Sequence, residues 1–357
     1  MDSISIKSHQ GNYSVDFFST LAPLVEQIEK TAGALVAIDK NVYDLYESFF
    51  AGLAAKVPLM TIEANEDNKT LKGAEEVLLF LQKNNATKVT EVFAIGGGII
   101  QDIVGFAAHL YYRGLKWQLV PTTLLSIGDS CIGAKNGLNL GAYKNQIGSF
   151  HSPGKVLVCP DFIQTLTPGD VMSGYGEVLK LLLINSEASF RFMKTAFDQG
   201  SVSSATCLEL VQKSLLTKKK IIEIDEYEIG PRKHLNYGHT FGHALETMTD
   251  HKVVHGLAVV FGIDLVNFYS FKKGWLAQDV YLEIQDTIKK HFSFSGVQGL
   301  DAKELVDLTR RDKKVSEGKL QLAVLKDFGK MEMQGVPFDD ELYEIVAEYL
   351  AAIDIKA

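Results

Sequence analysis

Apolar positions change rhythm along the chain, and the change divides it in two. Residues 4–7 and 13–18 alternate apolar and polar around Gly11-Asn12, which predicts a hairpin or two short strands. Residues 20–30 follow helical spacing. Residues 34–39 form a short apolar run ending in Asp39, which suits a buried parallel strand. Helical spacing returns over 42–54, 57–62 reads as a strand, 70–85 as a helix and 90–95 as a strand. Gly96-Gly97-Gly98 then opens a helix running to about His109, and a strand over 117–120 ends in Pro121-Thr122-Thr123. Such alternation predicts an open parallel sheet that binds ligands at the carboxyl ends of its strands. Residues 125–160 are rich in Gly and Asn and read as loop and hairpin. From about Thr167 amphipathic helical patterns dominate, over 170–198, 202–224, 235–249, 254–273, 278–293, 301–312 and 339–353; only 319–325 looks strand-like. The expected organisation is an α/β domain over 1–165 and a mostly helical domain over 166–357.

At 357 residues, two domains are expected rather than one. Apolar residues make up 46% and charged residues 22%, the balance of an ordinary globular protein. The net charge of −8 gives nucleic acid no purchase, so an anionic ligand needs a local basic cluster. Cys131, Cys159 and Cys207 are too few and too scattered for a disulfide framework or a thiolate metal site. No apolar run reaches membrane-spanning length, and the first residues lack the form of a secretion signal; a cytoplasmic protein is expected.

Several segments carry chemistry. His239 and His243 are one helical turn apart, and His255 follows a short polar break at 249–252. Arg232 and Asn236 fall on the same side if the helix begins that early. Imidazoles beside a guanidinium and an amide suit a divalent metal and an oxygen-rich anion, although paired helical surface histidines are common. Glu177, among small residues in Ser173-Gly-Tyr-Gly-Glu177, is either a partner of a helix N-terminus or a third metal ligand. The glycine triplet between strand and helix allows close approach of a diphosphate, or is merely a tight turn. Asp39 is placed for a ribose hydroxyl or as a helix cap, and Thr122 and Thr123 for the same crevice or for turn chemistry. Arg113, Lys135, Lys144 and Asn145 sit in or next to Gly-rich loops, and Lys180 lies one turn after Glu177, a distribution suited to anion capture or to a solvated surface. The run Lys218-Lys219-Lys220 reads as a solvated helix face for at least two of its members.

Taken in order, these segments resemble the 3-dehydroquinate synthase and wider sugar-phosphate cyclase family. The resemblance is carried by Gly-Gly-Gly-x-x-x-Asp at 96–102, Tyr-x-Arg-Gly at 111–114, Pro-Thr-Thr-Leu-Leu-Ser at 121–126, Asp-Ser-x-x-Gly-x-Lys at 129–135, Lys-Asn-x-Ile-Gly at 144–148, Gly-Glu-Val-x-Lys at 176–180 and Arg-x-x-Leu-Asn-x-Gly-His-Thr-x-Gly-His at 232–243. It implies a Rossmann-like N-terminal domain, a helical C-terminal domain and an active site in the cleft between them. NAD+ is then expected near Asp39, Glu66, Lys69, Gly97, Gly98, Asp102, Thr122 and Thr123. One divalent ion, Zn2+ or Co2+, is expected on Glu177, His239 and His255. By the same resemblance Lys135 and Asn145 bind the substrate phosphate, Arg113 reaches in from the second subunit of a homodimer, and His243 shuttles protons beside the phosphate. Lys218, Arg232 and Asn236 hold a carboxylate and hydroxyls. Asp129, Lys144, Lys180 and Lys313 or Lys314 match further contacts at the active site. The implied reaction cyclises a phosphorylated seven-carbon sugar acid through transient oxidation, phosphate elimination, re-reduction and intramolecular aldol closure. Sister cyclases with other sugar phosphates and metal-dependent polyol dehydrogenases are the alternatives. Leu257 departs from the family pattern: it stands where a glutamate usually follows His-Gly, removing a carboxylate expected behind a metal ligand.

Overall fold

The alternating positions at the start of the chain close into two antiparallel strands, β1 (Ser3–Ile6) and β2 (Tyr13–Phe17). The computed structural model describes residues 3–141, 143–294, 297, 299–310, 315–316 and 318–354. Lys313 and Lys314 lie outside the described residues. By internal contacts the chain divides into Met1–Thr167 and Pro168–Ala357.

In the first unit, helix α1 (Leu21–Lys30) leads to β3 (Ala34–Asp39), and the short helices α2 (Lys40–Leu45) and α3 (Glu47–Ala54) lead to β4 (Leu59–Ile62). Then come α4 (Leu71–Lys83), β5 (Glu91–Gly96), α5 (Gly98–Leu110) and β6 (Lys116–Pro121). Strands β7 (Lys135–Leu140) and β8 (Tyr143–Phe150) form a separate hairpin, and β9 (Lys155–Val158) returns to the main sheet. Its order is β1-β2-β9-β6-β5-β3-β4, parallel throughout except for β1 against β2. Val36, Ile38, Phe93, Ile95, Val120 and Leu157 are fully buried along its middle strands, which explains why these read as near-continuous apolar runs.

Two expectations need correcting here. The helical stretch 42–54 is broken at Tyr46, whose backbone leaves the helical region and whose hydroxyl donates to the Asp161 carbonyl at 2.8 Å. The segment 125–160 contains β9 as well as the hairpin. Lys155-Val-Leu-Val158 is too short to stand out from a loop by pattern, and it becomes a strand because it pairs with β2 and β6.

The second unit is built from α6 (Pro168–Asn185), α7 (Glu187–Asp198), α8 (Ser204–Ile222), α9 (His239–Met248), α10 (His255–Lys272), α11 (Gln278–His291), α12 (Ala302–Thr309) and α13 (Asp340–Asp354). A small antiparallel sheet joins β10 (Val315–Ser316), β11 (Lys319–Asp327) and β12 (Lys330–Pro337). The stretch 170–198 is thus two helices, parted at Ser186, whose hydroxyl caps α7 by accepting from the Ser189 amide. Strand β12 was not expected. Half of its residues are exposed and only Val336 is buried, so it carries no apolar run, and its partner β11 organises it across a turn at Gly329, where φ is +75°. Cys131, Cys159 and Cys207 are free and buried. Among the described residues no helix is long and apolar enough to cross a membrane.

Candidate active site

Strand order decides where the first unit can bind a ligand. From β3 the chain steps to β4 at one edge, then returns to β5 on the other side of β3 and continues outward to β6. The order therefore reverses between β3 and β5, and a crevice opens at their carboxyl ends. Asp39 ends β3, Gly96 ends β5, and Thr122 and Thr123 follow β6. Of Gly97 and Gly98, the packing demands only the first. A Cβ on Gly97 would come within 2.9 Å of Thr123 Cγ2, while one on Gly98 would meet only Ser130 Oγ at 3.9 Å. Gly97 caps α5 with no side chain, leaving that helix N-terminus available to an anion. Asp39 accepts a hydrogen bond from the Asn41 amide, so its capping role is real, and burial raises its pKa.

Beside this crevice runs a chain of polar contacts. Lys69 Nζ lies 2.6 Å from Asp102 Oδ2 and donates to Asn145 Oδ1 at 2.8 Å. Burial raises the Asp102 pKa, and the Lys69 charge pulls against it. Asn139 donates to Glu66 Oε2 at 2.7 Å and accepts from the Asn145 amide, while Lys144 Nζ stands 3.6 Å from Glu66. Asn145, placed by sequence with the substrate phosphate, is here joined to the group assigned to the nucleotide. Asn139 was missed, since an asparagine within a strand carries no signal of its own. Asp129 is buried, whereas Lys135 is exposed at the start of β7. Arg113 is also exposed, and both it and Tyr112 adopt left-handed backbone, with φ of +61° and +49°.

In the second unit three helices converge because glycines let their backbones approach. A Cβ on Gly256 of α10 would fall 2.5 Å from the Ser173 carbonyl carbon of α6, and one on Gly176 would fall 2.8 Å from that of Gly256. Between α9 and α10, a Cβ on Gly242 would meet the Ala258 carbonyl oxygen at 2.9 Å. Each contact glycine of the first pair is the chain neighbour of a donor: Gly176 precedes Glu177, and Gly256 follows His255. Close packing of α6 against α10 therefore carries Glu177 to His255. Glu177 lies in the middle of α6, not at a helix start, so the reading as a partner of a helix N-terminus fails.

The donors face one another. Glu177 Oε1 is 3.1 Å from His255 Nε2 and 3.4 Å from His239 Nε2. His243 is exposed, yet one ring nitrogen from each of His239, His243 and His255 falls within a span of 4.8 Å. Glu177 is only 1% exposed, and neither of its oxygens has a hydrogen bond of good geometry; Lys180, equally buried, makes an ion pair with Oε2. Burial alone would raise the Glu177 pKa, but Lys180 and His239 hold it well below the ordinary carboxylate range. Burial and the Lys180 charge push His239 down to about 4 against the pull of Glu177. Burial also acts to lower His255, but its close contacts with the Glu177 and Glu246 carboxylates win and raise it to about 10.

Remote nitrogens set the ring directions. His239 Nδ1 is 3.2 Å from the Tyr237 carbonyl, and His255 Nδ1 is 3.2 Å from Glu246 Oε2. Each Nδ1 is therefore placed to donate, leaving both Nε2 lone pairs aimed at a carboxylate. Once His255 gives up its second proton, as binding a metal demands, the three converging donors suit a cation between them. Ligands about 2.1 Å from a tetrahedral ion stand about 3.4 Å apart, which matches the separations of Glu177 from the two imidazoles. The donor set fits a divalent metal.

Arg232 and Asn236 are not on the histidine helix. They occupy a 3-10 turn, Pro231–Asn236, which Tyr237 and Gly238 separate from α9; Gly238 has φ of +78°. Tyr237 is fully buried and donates to Asn267 Oδ1 on α10, which fixes this strap. Arg232 is buried with its backbone amide on Asp225 and its guanidinium on the Glu226 carbonyl, while Asn236 donates to Glu228 at 2.7 Å. Of the three lysines at the end of α8, Lys218 is buried, Lys219 pairs with Glu223 and Lys220 is exposed. Glu246 was missed, though its position seven residues after His239 puts it on the same helical face.

Family models cover most of the chain. Residues 59–173 match the 3-dehydroquinate synthase N-terminal model, and residues 174–315 match the C-terminal one. A 3-dehydroquinate synthase from Dictyoglomus thermophilum is 32% identical over 330 residues, covering 92% of this chain and 87% of the relative. Another, from Pelagibacter ubique, is 37% identical over 309 residues, covering 83% of each. Among solved structures, 2-deoxy-scyllo-inosose synthase complexed with carbaglucose-6-phosphate, NAD+ and Co2+ superposes with a TM-score of 0.86 at 22% identity, over 97% of this chain and 99% of that one. That likeness establishes the α/β-plus-helical fold, and the sequence matches establish descent. This chain belongs to the 3-dehydroquinate synthase family.

Proposed function

We propose that the protein converts 3-deoxy-D-arabino-heptulosonate 7-phosphate to 3-dehydroquinate and phosphate, as a carbon–oxygen lyase that uses NAD+ and one divalent metal. The net reaction breaks the C7–phosphate bond and joins C7 to C2, with no net oxidation. The observation that carries this reading is the convergence of Glu177 with the Nε2 atoms of His239 and His255, at 3.4 and 3.1 Å, in a helical unit that also holds buried Arg232 and Lys218.

Glu177, His239 and His255 would hold the ion, and the crevice lined by Asp39, Gly97, Gly98, Thr122 and Thr123 would hold the dinucleotide. When bound, the ion acidifies a substrate alcohol and the nicotinamide accepts and then returns a hydride. Lys180 keeps the Glu177 carboxylate ionised. Arg232 and Lys218 neutralise the substrate carboxylate, and Asn236 orients a neighbouring hydroxyl. His243, the exposed member of the histidine group, takes and delivers protons beside the phosphate. Lys135 and Asn145, on the β7–β8 hairpin, bind that phosphate, and Lys144 and the buried Asp129 make further contacts at the active site. Arg113 completes the phosphate site from a second copy of the chain; its exposed left-handed turn supports an outward-reaching role.

Phosphate release and carbocycle formation should be measured with the seven-carbon acid phosphate, sedoheptulose 7-phosphate and glucose 6-phosphate, each with and without chelator. Turnover of the acid alone, lost on chelation and restored by Zn2+ or Co2+, is the expected result. Preference for a neutral sugar phosphate would assign a sister cyclase instead. Accumulation of NADH without phosphate release would assign a dehydrogenase.

A further inference from the structure

His255 needs something to hold its ring. It stands at the first position of α10, where no preceding turn of helix packs against it, and its side chain is 34% exposed. The next residues, Gly256-Leu257-Ala258-Val259-Val260, are small or apolar, and the first acid on this helix is Asp264, which accepts from Tyr349. Helix α10 therefore offers no carboxylate to Nδ1. One arrives from α9: Glu246 Oε2 stands 3.2 Å from His255 Nδ1, and its side chain is only 12% exposed.

The local backbone keeps Glu246 there. The Glu246 carbonyl accepts from the His251 amide at 2.8 Å, closing the α9 end, and Asp250 and His251 turn through left-handed conformations that bring the chain back toward α10. His251 Nδ1 reaches only to 4.0 Å from the other Glu246 oxygen, outside hydrogen-bonding distance. The two imidazoles facing Glu177 are thus supported differently. His239 has a neutral backbone carbonyl behind it, whereas His255 has an anion.

We propose that Glu246 is a positioning residue of the metal centre. It accepts a hydrogen bond from the Nδ1–H of His255, fixes the tautomer whose Nε2 lone pair faces Glu177, and makes that nitrogen a stronger donor. Leu257 leaves α10 without a carboxylate for this task, and Glu246 supplies it across the helix pair. The proposal rests on the reading of Glu177, His239 and His255 as the ligand set.

The test uses the full-length protein and Co2+, read by chelator competition for affinity and by the visible absorption of bound Co2+ for ligand geometry. Glu246→Ala is expected to weaken Co2+ binding about ten- to a hundredfold and to alter the spectrum. Glu246→Gln keeps an acceptor without the charge and should fall between Glu246→Ala and wild type. His251→Ala should stay within about twofold of wild type, because its contact is too long to support the site. Urea unfolding of the metal-free variants separates loss of fold from loss of the site; if Glu246→Ala does not fold, Glu246→Gln against His251→Ala carries the comparison. Wild-type affinity and spectrum in Glu246→Ala and Glu246→Gln, with binding lost in Glu177→Ala, would overturn the role of Glu246 alone. Equal binding by wild type and Glu177→Ala would overturn the ligand set, and the role of Glu246 with it.

Discussion

Replacing Gly256 by alanine tests how this site is assembled without touching a donor. An added Cβ would run into the Ser173 carbonyl oxygen and lie 2.5 Å from its carbon and 2.8 Å from the Ser173 Cα. Carbon–carbon contact begins near 3.5 Å, so α10 must retreat from α6 by about 1 Å. The obstruction is backbone, and no side-chain rotation relieves it. The separation of Glu177 from His255 would open from 3.1 Å to about 4 Å, beyond the edge of a tetrahedral site. Two effects on stability compete. Alanine favours the helix by up to about 1 kcal/mol, less near a helix start, while overpacking costs about 1–3 kcal/mol. Overpacking should win, giving a net loss of about 1–2 kcal/mol in urea unfolding. Metal affinity should fall further, by about a hundredfold, because a donor displaced by 1 Å no longer completes the coordination sphere. Gly52→Ala is the control. Gly52 lies within α3 with open space around it, so the same change there should stabilise by up to about 1 kcal/mol and leave metal binding alone. Undiminished stability and wild-type Co2+ affinity in Gly256→Ala would refute the argument that close helix packing sets the site.

Three further outcomes follow from the geometry. Lys69→Met strands the carboxylate of Asp102 and frees Asn145, so it should destabilise the first unit by about 3–5 kcal/mol and weaken NAD+ binding, read by denaturant unfolding and by fluorescence titration of the dinucleotide. Lys218→Ala should lower kcat/KM about a hundredfold, whereas Lys220→Ala should leave it unchanged, because only Lys218 of the pair is buried. Asp264, deep in the helical unit, has its pKa raised by burial from 3.8 to about 6. Its folded form holds a proton that the unfolded chain releases, so its contribution is fully present below pH 4 and is lost as the pH rises through 6. That term amounts to about 3 kcal/mol. Asp264→Asn should remove it, and the stability difference between variant and wild type, followed by urea unfolding from pH 4 to 7, should grow in the variant's favour; a constant difference would count against the shifted carboxyl.

Much of this protein is legible in its sequence, for reasons that differ by element. Strand β3 and helix α1 are plain because burial on both faces of a parallel strand and the spacing of an amphipathic helix leave local patterns. Strands β9 and β12 are not, because one is four residues long and the other buries a single residue; each is a strand only by virtue of its partners. The helical spacing read over 235–249 yields a helix only from His239, because a left-handed glycine, Gly238, precedes it and apolar spacing continues across such a break. The seven motifs marked the family and most of the polar residues gathered at the two candidate sites. They did not reveal Asn139 or Glu246, whose residue types are common and whose importance comes from what they touch.

By itself, the order of residues determined most of the segments that become helix or strand, which side chains share a helical face, and which chemical groups are available to meet. Backbone periodicity and side-chain burial act over a few residues, so a local stretch carries them. Tertiary structure alone decided that β3 and β5 flank the reversal in strand order, that Glu177 reaches both His239 and His255, and that the carboxylate behind His255 comes from α9. Those meetings depend on how closely two helices pack. Here that distance is set by glycines whose missing Cβ atoms matter only once the opposing backbone is in place.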